Sequence, residues 1–287
     1  MYKILDPHPD FRLNGNSFGL KELRLHADIL TESPDSFQKE LGLFLYEWLS
    51  DSQTIVLKTS GSTGEPKKIT ALKSQLLASA RATTQFLDLK PKQSALLCLP
   101  LQYVGGKMML IRALVAGLWI DVVTPVSNPF SEIDHYDFSA ITPYQLQHSL
   151  DHLEKIGQLL VGGAPIPSTT TALLKGHRRS ALETHGLTAT FSHVAFKNIG
   201  SGDVVFRALP NIFFSIHSDC LRIHAPHLSK TPFQTRDLVT LKSDTTFVWL
   251  GRADHMINSG GVKLHPEQIE KQLSFLFKTS SVVFGLP

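Results

Sequence analysis

Between Ser36 and Ser50 the apolar residues Phe37, Leu41, Phe44, Leu45 and Trp48 recur at helical spacing, and Pro34-Asp35-Ser36 supplies a plausible start. The residues before them, 1 to 34, are punctuated by Pro7, Pro9, Gly15 and Gly19 and read as irregular. The β-branched run Thr54-Ile55-Val56 predicts a strand, and Lys73 to Leu87 a helix. Ser94 to Leu99 reads as a buried strand, followed by Pro100-Leu-Gln-Tyr-Val-Gly-Gly106, an apolar helix through Val115 and a further strand over Leu118 to Val123. Asn128 to Pro143 is polar and proline-marked, a predicted loop; a helix is expected over Pro143 to Ile156, a strand over Gln158 to Val161 and a helical stretch towards Lys175.

Past His193 the pattern shortens to alternating strands around 204–206, 212–214 and 221–223, with a last strand over Thr245 to Leu250 and a helix opening near Pro266. Strands alternating with helices, then strands alone, predict an α/β class. A large domain would carry mixed, largely parallel sheets with flanking helices, followed by a small antiparallel, barrel-like β section. No internal repeat or low-complexity tract interrupts it.

With 287 residues, 42% of them hydrophobic, the chain can bury roughly three quarters of its unfolded surface without disulfides or metals. A formal charge of +3 is too weak to argue for nucleic acid. The most apolar window, Met108 to Val123, carries Arg112 and Asp121 and is too short to span a bilayer, and the N-terminus does not resemble a signal peptide. The expectation is a soluble, cytoplasmic protein with Cys98 and Cys220 as reduced, buried thiols, although a disulfide stays open. His148 and His152 have metal-ligand spacing but lack the H-E-x-x-H pattern, so a solvated helix face is the favoured account and no metal ligand is assigned.

The candidate chemistry begins directly after the first strand, in Thr59-Ser-Gly-Ser-Thr-Gly-Glu-Pro-Lys67. Gly61 and Gly64 allow the main chain close to a ligand, so that successive N–H groups can point into one concavity. Thr59, Ser60, Ser62 and Thr63 add hydroxyl donors, Lys67 adds a compact cation and Pro66 stiffens the exit. The segment is not a Walker loop, because Pro66 stands where the second glycine belongs. A surface turn is the competing reading; the preceding strand and the Pro-Lys close favour a phosphate. A helix starting soon after the loop would add amide donors near it.

The run T-S-G-S-T-G-E-P-K resembles the phosphate loop of the adenylate-forming (AMP-binding) superfamily, and later segments follow in that superfamily's order. Leu101 to Gly106 resembles its acyl-side segment, which implies an acid-facing role for Tyr103, Gly105 and Gly106. Gly162-Gly163-Ala164-Pro165 resembles the adenine turn, although a simple turn would give the same residues. His185-Gly186-Leu187-Thr188-Ala189 resembles the aromatic-Gly-x-Thr-Glu segment, implying that His185 and Gly186 meet adenine and that Thr188 donates to phosphate. Ala189 departs from the glutamate that helps hold magnesium. Thr235-Arg236-Asp237-Leu238 resembles the ribose segment, with Asp237 as acceptor for the diol; an exposed Asp–Arg pair is the alternative. Gly251 to Glu270 resembles the hinge, with Arg252 reaching nucleotide and Asp254 as pivot. Together with Phe206-Arg-Ala-Leu-Pro-Asn211, its wording is similar to o-succinylbenzoate-CoA ligases of menaquinone synthesis.

The resemblance implies domains over 1–250 (AMP-binding) and 251–287 (hinge and an incomplete C-terminal domain). It implies ATP-dependent activation of a small carboxylic acid, with ATP, magnesium and coenzyme A, and Lys67 and Thr188 as catalytic residues. Neither nucleic acid nor membrane is an expected partner, and a homodimer is admitted. Only 252–287 follows Gly251, so the superfamily's late lysine lacks a counterpart and adenylation is expected to be weakened. A non-catalytic relic binding nucleotide or acyl ligand, and a ligase for another aryl or acyl acid, are the competing functions.

Overall fold

In the computed structural model the described residues are 6–58, 68–174, 180–259, 262–277 and 281–284. The chain divides into two compact units, Met1–Gly163 with Gly186–His193, and Ala164–His185 with Val194–Pro287.

The first unit opens with two-residue strands β1 (Arg12–Leu13) and β2 (Asn16–Ser17), then α1 (Leu20–Thr31) and α2 (Ser36–Leu49). The expectation of irregular structure before residue 34 is therefore corrected. Helix α1 buries Leu23 and Ala27 but leaves Leu25 and Ile29 exposed, which blurs its apolar face in the sequence. Helix α2 has the predicted face, with Phe37, Leu41, Phe44, Leu45 and Trp48 buried and Asp35 accepting from the Gln38 amide as N-cap. Strands β3 (Thr54–Lys58) and β4 (Lys68–Leu72) form an antiparallel hairpin, and α3 spans Lys73–Phe86.

A parallel sheet follows, made of β5 (Ser94–Leu97), β6 (Trp119–Val122), β7 (Tyr136–Ile141) and β8 (Ile156–Val161). Its order is β1-β6-β5-β7-β8, with helix α4 (Val104–Ala116) between β5 and β6 in sequence. Strand β7 corrects the predicted loop over 128–143. Two of its polar residues bond to β5: the Asp137 carboxylate accepts from the amide and hydroxyl of Ser94, and Ser139 donates to the Leu96 carbonyl. Buried polar residues that bond across strands look like loop residues in a sequence.

Helix α5 covers only Pro143–His148, capped by Thr142 in a reciprocal bond with Gln145, and the chain then tightens into a 3-10 turn over Leu150–Lys155. The long helix expected to Ile156 breaks at Ser149, whose buried hydroxyl donates to Asn128 at 3.1 Å.

The second unit contains α6 (Ser168–Leu173) and an antiparallel run of strands. In chain order these are β9 (Ser180–Leu187), β10 (Ser192–Asn198), β11 (Val205–Ala208), β12 (Phe213–His217), β13 (Cys220–His224), β14 (Phe233–Ser243) and β15 (Thr246–Arg252). Their spatial order is β9-β10-β11-β15-β14-β13-β12. The antiparallel section is as predicted, but among the described residues β12 pairs only with β13, so the run is open where a barrel would close. The 11-residue β14 carries the Thr235-Arg236-Asp237-Leu238 segment, so that segment lies on a strand. A short hairpin of β16 (Ile257–Ser259) and β17 (Val262–Leu264) leads into α7 (Pro266–Phe277), which starts at the expected proline.

Candidate functional site

The loop residues Thr59, Ser60, Gly61, Ser62, Thr63, Gly64 and Lys67 lie outside the described residues, but their frame does not. Lys58 and Lys68, the described residues on either side of that segment, pair with each other in the β3–β4 hairpin. A parallel bridge joins Lys58, the last residue of β3, to Tyr103. Helix α3 opens at Lys73 as expected, with β4 between it and the loop segment, and the Lys73 amide bonds to the Gln53 carbonyl at the hairpin's base. The short, lysine-led run Lys68-Ile-Thr-Ala-Leu72 hid the strand.

Tyr103 is the N-cap residue of α4, and Gly105 and Gly106 form its first turn. A Cβ on Gly106 would lie 2.4 Å from the Pro100 carbonyl oxygen, so only glycine lets this turn sit on the preceding segment. Two turns further along α4, Arg112 is 2% exposed. Its Nη2 donates to the Ser192 hydroxyl at 2.6 Å, its Nε finds no acceptor among the described residues, and none of their carboxylates pairs with it. Burial pushes this guanidinium down to about 9, which still leaves it charged at neutral pH. Ser192 also meets His193 Nδ1 at 3.3 Å, and His193 Nε2 lies 2.8 Å from the Thr83 hydroxyl. Burial, and then Arg112, hold His193 well below its ordinary value, so the imidazole is neutral. None of Thr83, Arg112, Ser192 and His193 was singled out from sequence as a site residue. The available signal was an arginine inside the apolar window 108–123.

Gly163, at φ 96°, ends the turn after β8, and Ala164 and Pro165 are exposed at the start of the second unit. Gly186 is pressed against β10, where a Cβ would approach the Ser192 carbonyl oxygen to 2.3 Å. Thr188 and Ala189 form a 3-10 turn with Thr190, and Thr188 accepts the Phe191 amide.

In the second unit, β9, β14 and β15 bring His185, Asp237, Trp249 and Arg252 together. Asp237 is 3% exposed. Its Oδ1 accepts from the Trp249 indole at 3.2 Å and lies 3.8 Å from Arg252, and its Oδ2 lies 3.5 Å from His185 Nε2. Burial pushes this carboxyl up, but His185, Trp249 and Arg252 outweigh it, and Asp237 lies below the ordinary carboxylate range. Its cationic partner is Arg252 rather than its exposed sequence neighbour Arg236. Arg252 also holds Asp254 in a two-pronged pair at 3.0 and 2.8 Å, lowering the Asp254 carboxyl. Glu267 of α7 accepts from the Arg252 amide and lies 2.7 Å from His255. The His185 ring packs against Phe206 and Phe247 at 5.4 and 5.1 Å, so the residue expected to stack on adenine also belongs to an aromatic cluster.

The remaining candidates are placed apart from these groups. His148 bonds the Tyr144 carbonyl and His152 meets Asn128, with the helix break between them. Cys98 and Cys220 are free and buried, and burial pushes the Cys98 thiol up to about 12. Among the described residues no helix is long and apolar enough to cross a membrane.

No protein-family model matches the chain. It nevertheless belongs to the AMP-forming acyl-CoA synthetase family of adenylate-forming proteins. A solved acyl-CoA synthetase (AMP-forming)/AMP-acid ligase II-like protein from Dyadobacter fermentans is 32% identical, covering 89% of this chain and 76% of that one at a TM-score of 0.72. Among curated relatives, the chain is similar to the 2-succinylbenzoate–CoA ligase of Haemophilus influenzae, 26% identical over 250 residues, covering 80% of this chain and 55% of that protein. The chain thus spans about half the length of the curated relatives it matches. The o-succinylbenzoate coenzyme A synthetase of Bacillus subtilis, solved with ATP and magnesium, shares the fold at a TM-score of 0.70 and 20% identity, covering 80% of this chain and 57% of that one.

Proposed function

We propose that this chain carries the acid- and nucleotide-binding part of an ATP-dependent acid–CoA ligase acting on an aromatic dicarboxylate of the 2-succinylbenzoate type. The observation that carries the reading is Arg112, a buried cation with no carboxylate partner among the described residues. Burying an ion costs several kcal/mol unless an opposite charge compensates it. A dicarboxylate supplies that charge with the carboxylate that is not activated.

The other carboxylate attacks the α-phosphorus of ATP. A phosphorus–oxygen bond forms, the bond to the bridging oxygen breaks, and pyrophosphate leaves. The thiolate of coenzyme A then attacks the acyl carbon and AMP departs, leaving the thioester. In this reading Thr59, Ser60, Gly61, Ser62, Thr63, Gly64 and Lys67 bind phosphate and Thr188 donates to it. Gly163, Ala164, Pro165, His185 and Gly186 face the base, and Asp237 accepts the ribose diol, which an ionised carboxylate suits. Tyr103, Gly105 and Gly106 border the acid, Arg252 reaches the nucleotide, and Asp254 is the pivot where 251–287 begins the small domain. A resident magnesium does not fit Thr188 and Ala189, which offer a hydroxyl and a methyl group. The ion enters with ATP as substrate, carried by its phosphates.

The test is pyrophosphate release with ATP, magnesium and 2-succinylbenzoate, beside a Lys67→Ala variant and an aromatic monocarboxylate. Release that requires the dicarboxylate and falls in the variant supports the reading; equal release with both acids contradicts it. Ala189 favours a second reading, a non-catalytic binder, in which acid and nucleotide bind without pyrophosphate release.

A further inference from the structure

We propose that Ser192, His193 and Thr83 form a directed hydrogen-bond relay that positions Arg112 for the acid's free carboxylate. The inference rests on the acid-binding reading of Arg112 above. Thr83, on α3, donates its hydroxyl proton to the Ser79 carbonyl at 3.1 Å. Its oxygen therefore meets His193 Nε2, 2.8 Å away, as an acceptor, so that nitrogen carries the imidazole's proton. In a neutral ring Nδ1 is then the acceptor, and the Ser192 hydroxyl, 3.3 Å away, donates to it. With its proton spent there, Ser192 oxygen presents a lone pair to Arg112, which fills it at 2.6 Å.

Every proton thus runs one way, from Arg112 through Ser192 to His193, and from His193 through Thr83 to the helix backbone. One guanidinium edge is fixed by neutral groups, and the charge is left for a ligand to neutralise. A carboxylate in place of Ser192 would cancel that charge; a serine held by an imidazole orients it without cancelling it. Thr83 and His193 touch no substrate in this scheme and act as positioning residues. Burial keeps them in one arrangement, Thr83 being fully enclosed and His193 8% exposed.

The relay can be read without ligand. Nitrogen NMR on histidine-labelled chain, with His193→Gln to assign the signal, is expected to show His193 protonated at Nε2 and bare at Nδ1; the opposite tautomer overturns the relay. Calorimetry then separates it from the reading beneath it. Thr83→Val is expected to weaken 2-succinylbenzoate binding about 3- to 10-fold, the loss of one hydrogen bond, with ATP affinity unchanged and Thr83→Ser restoring the acid affinity. Unchanged acid affinity in Thr83→Val, while Arg112→Gln abolishes it, overturns the relay and spares the acid-binding reading. Unchanged acid affinity in Arg112→Gln overturns both.

Discussion

Each unit buries a charged group, and the two are treated in opposite ways. Arg112 in the first unit is surrounded by neutral partners, a serine hydroxyl backed by an uncharged histidine. Asp237 in the second faces His185, an indole N–H and Arg252, which in turn grips Asp254. A charge already balanced by its own chain contributes to the fold as it stands. An unbalanced charge, held in place by neutral hydrogen bonds, is a standing cost that a ligand of opposite sign relieves. The contrast separates a charge that its own chain already balances from one left for a ligand to balance.

The largest consequence is expected where balance is broken. Asp237→Ala leaves the Trp249 indole unpartnered and removes the carboxylate that Arg252 and His185 face, and should cost about 3 kcal/mol in urea unfolding. A loss below about 1 kcal/mol would place Asp237 among groups that serve only a ligand. Arg112→Met should behave in the reverse sense, because replacing an uncompensated buried charge by an apolar side chain is neutral or stabilising. Its midpoint in urea should hold or rise while affinity for the dicarboxylate falls about 10- to 100-fold, the worth of a charge-assisted hydrogen bond. A destabilised variant with normal acid affinity would make Arg112 structural.

A smaller effect follows from His193, whose folded-state value lies well below 6.5. Its stabilising contribution is complete above 6.5 and is lost as the pH falls below it, because the unfolded chain gains a proton that the folded chain refuses. The slope is at most about 1.4 kcal/mol per pH unit from this group. His26 and His227, also lowered by burial, act in the same direction. Unfolding midpoints between pH 7 and 5.5 should show the slope, and His193→Gln should flatten its share; an unchanged slope would mean that the imidazole titrates normally in place. The least effect is expected at Cys98, whose thiol is pushed up to about 12. Native chain at pH 8 should leave it unmodified by a thiol reagent over the time in which urea-unfolded chain reacts fully, and fast native labelling would show that the sheet opens there.

Much of the fold was legible because its strands and helices bury contiguous or periodic apolar residues: α2, α3, β5 and β6 fall where their patterns put them, and α7 starts at the proline that marks it. The failures share a cause. Strand β7 hides polar residues that bond across to β5, α1 leaves two large apolar residues in water, and β4 is a short, lysine-led run. In each, partners distant in sequence decide what is buried. The site shows the same division. Short glycine- and hydroxyl-rich segments announced themselves, and Asp237 and Arg252 do meet. The group around Arg112 joins residues 83, 112, 192 and 193, which no local pattern connects.

The most direct measurement is calorimetric titration of the chain with 2-succinylbenzoate and with an analogue lacking the ring carboxylate, each repeated on Arg112→Met. The account predicts that the native chain binds the dicarboxylate at least about tenfold more tightly, and that the variant binds both acids alike. Equal affinity of the native chain for the two acids, or a preference that survives in Arg112→Met, would contradict it.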